Sequence, residues 1–304
     1  MRVGGQAIME GVLMRSPNFW GMAVRAPSGD VEIQAEPFRS VTRKSKLFRL
    51  PVIRGFLSLA ETLWLGMKAL TLSTNIALGE DEDLSKKEIV ITLTFGLGLA
   101  FLLFLAAPVL GTKGIGALFG NSIENPILFN LVEGALRIGI FMLYLVGITA
   151  VSKDIKRFFA YHGAEHKAIK VYERGEELVP ANARKLDTSH VRCGTSFILY
   201  VLVLSILVFS LLPIDWWVEA IAARVVVIPL VAGIAFEFIM WSARNQGNPV
   251  VKALIWPGLQ LQKLTTREPT DDMVEVAMAS LKKVLRMEEE AKIAPNEATN
   301  KLVI

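Results

Sequence analysis

Histidine and cysteine are almost absent from this chain, with three histidines and one cysteine in 304 residues. A single cysteine excludes an intrachain disulfide framework and leaves one thiol free to ligate a metal. No cleavable signal peptide is visible, because residues 1–20 lack an apolar core of the usual kind. No internal repeat is seen. The opening Gly4-Gly5-Gln6-Ala7-Ile8-Met9-Glu10-Gly11 is glycine-rich but fits neither G-x-G-x-x-G nor a Walker loop. Its glycines are read as sites of tight backbone packing. Basic residues are not interleaved with aromatics on one face, so no nucleic-acid partner is expected.

Apolar residues, in contrast, are abundant. The chain is 52% hydrophobic, with mean hydropathy +0.44. Four runs, at 89–110, 126–150, 196–212 and 218–241, are each near the ~20 residues that span a bilayer. Four such runs leave too little polar chain to cover them in a soluble protein. The second carries Glu133 and Arg137; the fourth carries Glu219, Arg224 and Glu237. Charges inside spans are expected to pair with one another, and Glu133 and Arg137 have the i, i+4 spacing to do so.

The distribution of charge orients these runs. Of the 33 Lys and Arg residues, 12 lie in 1–87, 1 in 112–125, 9 in 152–195, none in 213–217 and 9 in 243–304. The positive-inside rule then gives a multi-pass plasma-membrane protein with four spans and both termini cytoplasmic. The expected fold is a mainly α membrane protein. It comprises a four-span helical bundle, a small N-terminal β-containing segment and an amphipathic interfacial helix.

Four regions follow. Residues 1–40 form a cytoplasmic segment whose runs 20–25 and 30–36 make a hairpin around Pro27-Ser28-Gly29. Residues 41–87 hold a basic run, which meets membrane lipid headgroups, and an amphipathic helix at 51–78, which lies on or partly enters the cytoplasmic membrane face. Glu80-Asp81-Glu82-Asp83 reads as a solvated linker. Residues 88–242 form the membrane domain, with a motif-bearing loop at 153–195. Residues 243–304 form a cytoplasmic helical tail. In it, Asn245-Gln246-Gly247-Asn248-Pro249 ends the fourth span and Trp256-Pro257-Gly258 makes a turn. Thr270 caps a helix over 273–286, and a disordered end follows.

The chemistry concentrates in the string His162-Gly163-Ala164-Glu165-His166, an H-x-x-E-H pattern. On a helix, His162 and His166 share a face with Glu165 beside them. Two imidazoles can hold a divalent metal, zinc being the expected one, and an unliganded Glu can take a proton from water at that metal. Gly163 weakens such a helix by about 1 kcal/mol relative to Ala. The third histidine, His190, begins His190-Val191-Arg192-Cys193, which contains the only cysteine. Three histidines placed at random would share so short a window about 3% of the time.

These strings carry a resemblance. Gly4-Gly5-Gln6-Ala7-Ile8-Met9-Glu10-Gly11-Val12, Tyr161-His162-Gly163-Ala164-Glu165-His166-Lys167, Arg192-Cys193-Gly194-Thr195-Ser196-Phe197 and the run from Pro257-Gly258-Leu259-Gln260 to Arg267-Glu268-Pro269 resemble the YqhQ-like family of bacterial membrane proteins. The resemblance covers nearly the whole chain. It implies a bacterial membrane protein of unknown function, sometimes labelled a predicted metal-dependent enzyme, and it brings no catalytic residue set.

The residues themselves leave three readings open. In the first, His162, His166 and either His190 or Cys193 hold the metal with one position open. Glu165 is then the general base and Arg192 stabilises an oxyanion. The reaction is metal-assisted hydrolysis of an amide or ester in a membrane peptide or lipid-linked substrate. In the second, all four ligands close a structural site that staples the second span to the third. The protein then acts by binding, as a membrane assembly or insertion factor. The third, a transporter, draws on the charges inside the spans, but four spans without a repeat are few for one.

Overall fold

The computed structural model describes residues 3–79, 86–119, 123, 125–211 and 217–300; the acidic linker at 80–83 lies outside them. The chain is mainly helical, with one four-stranded antiparallel sheet at its N-terminus.

The hairpin expected around Pro27-Ser28-Gly29 is present as β3 (Phe19–Arg25) and β4 (Val31–Pro37). The glycine-rich opening supplies two more strands, β1 (Gly4–Ile8) and β2 (Gly11–Arg15), in a meander of order β1-β2-β3-β4. Their side chains alternate between two buried faces, as the two-residue period of a strand demands. Ala7, Val12, Met14 and Ala23 enter one core, and Ile8, Leu13, Trp20, Met22 and Val24 enter another. Gly11 lies so close to the neighbouring strand that a Cβ would stand 2.2 Å from the Ala23 carbonyl oxygen.

A sheet apolar on both sides requires a cover on both. One face is covered by α1 (Ile53–Leu78), through Leu65 and Ala69. The other is covered by α5 (Lys153–Glu173) and α10 (Asp271–Asn300), the short α6 (Pro180–Ala183) adding Ala183. The C-terminal segment is therefore part of a core and not a tail: Val276, Ala277, Leu281 and Val284 of α10 are fully buried. Its first turn is bonded to the Thr270 carbonyl through the amides of Met273 and Val274. The helix also continues to Asn300, past the end at 286 read from the sequence.

The apolar runs form the rest. Helices α2 (Lys86–Phe101) and α3 (Ala107–Leu118) join through a π-helical turn, Leu102–Ala106. Then come α4 (Pro126–Val151), α7 (Gly194–Ser210), α8 (Trp217–Ser242) and α9 (Pro249–Thr265). Two stretches among the described residues, Val90–Leu118 and Pro126–Val151, are helical, long and apolar enough to cross a membrane. Gly194–Ser210 and Val227–Ser242 are apolar but shorter.

Glu133 and Arg137 form the expected one-turn ion pair. Glu237 pairs with Arg54 at 2.5 Å, which ties α8 to the start of α1; the side chains of Glu219 and Arg224 lie outside the described ones. Trp256-Pro257-Gly258 is not a turn: all three lie inside α9. Proline leaves only the carbonyl four residues earlier without its helical donor. The glycine is there for close approach, since a Cβ on Gly258 would stand 2.6 Å from the Tyr200 hydroxyl and 2.7 Å from Ser196 Oγ of α7.

Candidate metal centre

Helix α5 begins directly after α4, with Ser152 accepting from the Ile155 amide as its cap. The helix presents His162 and His166 one turn apart, as the i, i+4 spacing requires, with ring centroids 4.4 Å apart. Gly163 sits between them in contact with the segment after α9. A Cβ there would stand 2.1 Å from the Arg267 carbonyl oxygen. The Arg267 amide in turn donates to the Phe159 carbonyl at 2.9 Å. The glycine that weakens the helix therefore admits a strand of backbone onto it.

That close passage orients the imidazoles. His162 Nδ1 lies 2.8 Å from the Thr265 carbonyl and His166 Nδ1 2.5 Å from the Thr188 carbonyl. A carbonyl only accepts, so both Nδ1 atoms carry the proton and both Nε2 lone pairs remain for a ligand. This is the outer-shell arrangement that fixes a metal-binding histidine. Cys193, the cap of α7, brings its Sγ to 3.3 Å from His162 Nε2. One ligand atom each from His162, His166 and Cys193 lie within 4.8 Å of one another. Two imidazoles and one thiol are a donor set that suits zinc.

His190, the other expected donor, is close but turned to different partners. Its ring lies 5.6 Å from that of His166, its Nε2 is 3.2 Å from Glu173 Oε2, and its Nδ1 is 3.3 Å from the Arg192 amide. Both ring nitrogens are thus engaged outside the triad. Burial pushes the His190 pKa down, and the bond to Glu173 opposes it. Arg192 bonds the Val3 carbonyl at 3.1 Å and the other oxygen of Glu173. Its guanidinium is held beside His190, one shell from the triad.

Glu165 is buried against the triad, with Oε2 3.5 Å from His166 Nε2. Gly5 of β1 makes its room, as a Cβ there would stand 2.7 Å from Glu165 Cγ. Burial raises the pKa of this carboxyl, while His162, His190 and Arg192 pull it down. Burial also lowers the pKa of His166, favouring the neutral imidazole that ligates metals.

Several contributors are not legible in the H-x-x-E-H pattern. Gln262 is fully buried; its Oε1 accepts from the His190 amide at 2.8 Å, and its Nε2 donates to the His190 carbonyl and to Ser196 Oγ. It pins the loop carrying His190 and Cys193 to α9. Thr188 and Thr265 act through backbone carbonyls, which any residue type could supply. The only sequence signal for them is that Thr265 and Gln262 lie in the motif run ending at Pro269.

Two further carboxylates, Glu10 and Glu237, lie outside the triad. Glu10 is paired with Arg157 and accepts from the Tyr161 hydroxyl at 3.3 Å, and Glu237 pairs with Arg54.

A buried carboxylate beside a histidine-cysteine triad, set under a four-stranded sheet and joined to long apolar helices, is the character of this chain. It belongs to the family described as Protein of unknown function (DUF1385), whose model matches residues 50–287. It is similar to Uncharacterized protein YqhQ of Bacillus subtilis (strain 168), with 32% identity over 300 residues, 94% of this chain and 92% of that protein. The resemblance read from the motifs is thereby borne out. No solved structure matches the chain.

Proposed function

We propose that this protein is a zinc-dependent hydrolase of the bacterial plasma membrane, acting at the cytoplasmic face on an amide or ester of a membrane-associated substrate. The observation that carries the proposal is the three-donor cluster of His162, His166 and Cys193 with buried Glu165 beside it. Structural zinc sites use four protein ligands, whereas catalytic ones keep three and leave one position open. His190, the fourth donor a closed site requires, has both ring nitrogens committed elsewhere. A metal held by the triad supplies Lewis acidity and a site for water.

The chain's own residues do the rest. The Thr265 and Thr188 carbonyls hold His162 and His166 in the ligating tautomer. Glu165, its pKa raised by burial, accepts the proton of the attacking water and returns it to the leaving group. Arg192, anchored by Glu173, acts through its positive field and not by direct contact with the triad. The membrane setting rests on the two long apolar helices, with α7 and the apolar stretch Val227–Ser242 of α8 completing a four-span bundle in this reading. The basic residues of 1–87, 152–195 and 243–304 then lie on the cytoplasmic side.

Glu165→Gln tests the catalytic role. The change keeps size and most hydrogen bonds but removes the base, a loss of about 10²- to 10⁴-fold in rate. Purified variant protein is expected to retain the metal content of the wild type while failing to complement a deletion strain. Full complementation by a metal-loaded Glu165→Gln protein overturns the hydrolase and leaves a structural metal.

A further inference from the structure

The stripe of α5 that carries the histidines does not end with them. Continuing at four-residue steps from His162 and His166, it reaches Lys170 and then Arg174 at the helix end. Past His190 these two cations open onto a cavity of about 400 Å³, which Lys252 of α9 closes from the other side. Ser189 and Gln246 add neutral hydrogen-bonding groups to its wall.

The charge in this cavity is only partly compensated. Lys170 bonds Asp187 Oδ1 at 2.8 Å, and Arg174 reaches Glu176 only at 3.9 Å. Lys252 has no ion-pair partner among the described residues. The one acid in the wall, Glu173, is taken up by Arg192 and His190. The other part of the wall is apolar, with Ile255 and Leu259 of α9. Trp256, one turn on from Lys252 on the same side of α9, is exposed. A cationic recess with an amide donor, opening along the apolar side of α9, fits a ligand with an anionic head and an apolar tail.

We propose that this cavity binds the phosphate-bearing headgroup of an anionic amphiphile, with its acyl portion along α9. Arg174 and Lys252 make the principal phosphate contacts, the second amide proton of Gln246 bonds a remaining oxygen, and Trp256 meets the tail. His190 forms the wall between this cavity and the triad. A headgroup seated here therefore lies one imidazole away from Glu165 and the candidate ligands. Calling the ligand a substrate rests on the hydrolase reading; the binding does not.

The test uses full-length protein in a neutral detergent, titrated with dioctanoyl phosphatidic acid, dioctanoyl phosphatidylcholine and inorganic phosphate, with Trp fluorescence as readout. Saturable binding of the phosphatidic acid is expected, with Arg174→Glu/Lys252→Glu weakening it about tenfold or more. Both side chains are exposed, so the double variant should keep the wild-type melting temperature and metal content. The His162→Ala protein should still bind, which separates failure of the cavity from failure of the hydrolase. Equal affinity of the wild type and the double variant overturns the site. Inorganic phosphate binding as tightly as the amphiphile overturns the role of α9 and leaves a free-phosphate pocket. Equal binding of the phosphatidylcholine overturns the recognition of an anionic head.

Discussion

At the scale of single residues, the assignment divides between two candidates that the sequence leaves equal. His190 and Cys193 are three positions apart in one loop, and nothing in the H-x-x-E-H pattern chooses between them. The choice depends on where α7 begins. Cys193 is its cap and is carried toward α5, whereas His190 faces back to Glu173 at the end of that helix. Such a distinction depends on tertiary placement: the pair of histidines, the neighbouring Glu165 and the loop of His190 and Cys193 were legible beforehand, and the choice within that loop was not.

A direct expectation follows for the two variants. Cys193→Ala removes one of three donors, and two imidazoles alone do not hold zinc tightly, so stoichiometric metal should be lost from the purified protein. His190→Ala should keep near-stoichiometric metal, because its ring nitrogens lie outside the triad. Elemental analysis of both proteins decides the matter, and loss of metal in His190→Ala with retention in Cys193→Ala reverses the assignment.

At the scale of elements, what could be read from the chain was what has a period. The β3–β4 hairpin, the helix at 51–78, the apolar helices and the break at Asn245–Pro249 all follow from alternation, helical spacing or turn chemistry. What could not be read was close approach between elements. The opening glycines have no side chain to show a period, yet they build β1 and β2, and Gly5 there clears the space that Glu165 fills. Trp256-Pro257-Gly258 has the composition of a turn, but contact with α7 keeps it helical.

Gly163 makes the same conflict measurable. By propensity alone, Gly163→Ala stabilises α5 by about 1 kcal/mol. The added Cβ, however, meets the Arg267 carbonyl, which is backbone and cannot rotate away. Overpacking of this kind costs about 1–3 kcal/mol. The substitution is therefore expected to lower the thermal midpoint. It should also weaken metal binding, because the displaced backbone carries the Thr265 carbonyl that orients His162. A Gly163→Ala protein with a raised midpoint and unchanged metal affinity contradicts the close passage over α5.

At the scale of the whole molecule, the candidate centre sits where two kinds of structure meet. Helix α5 belongs to the core with the sheet and α10, yet it starts at Ser152, where α4 ends. Cys193 is the cap of α7, an apolar helix. The three candidate donors thus come from the middle of α5, which continues α4, and from the cap of α7. If Val90–Leu118 and Pro126–Val151 cross the bilayer, α5 and the sheet share one side with the basic segments, and the end of α3 lies on the other. Val90–Leu118 is 29 residues long, roughly 43 Å at 1.5 Å per residue, more than a ~30 Å hydrocarbon core requires.

Single cysteines at Leu118 and Arg174, both exposed, report the sides. Buried Cys193 is left in place, and the parent protein serves as the background. In intact cells a membrane-impermeant maleimide should label Leu118→Cys but not Arg174→Cys. Arg174→Cys should react only after the cells are opened. Labelling of Arg174→Cys from outside would place the triad and its thiol outside the cell. The charge-based orientation and the cytoplasmic hydrolase would then fail together, while the geometry of the three donors would stand.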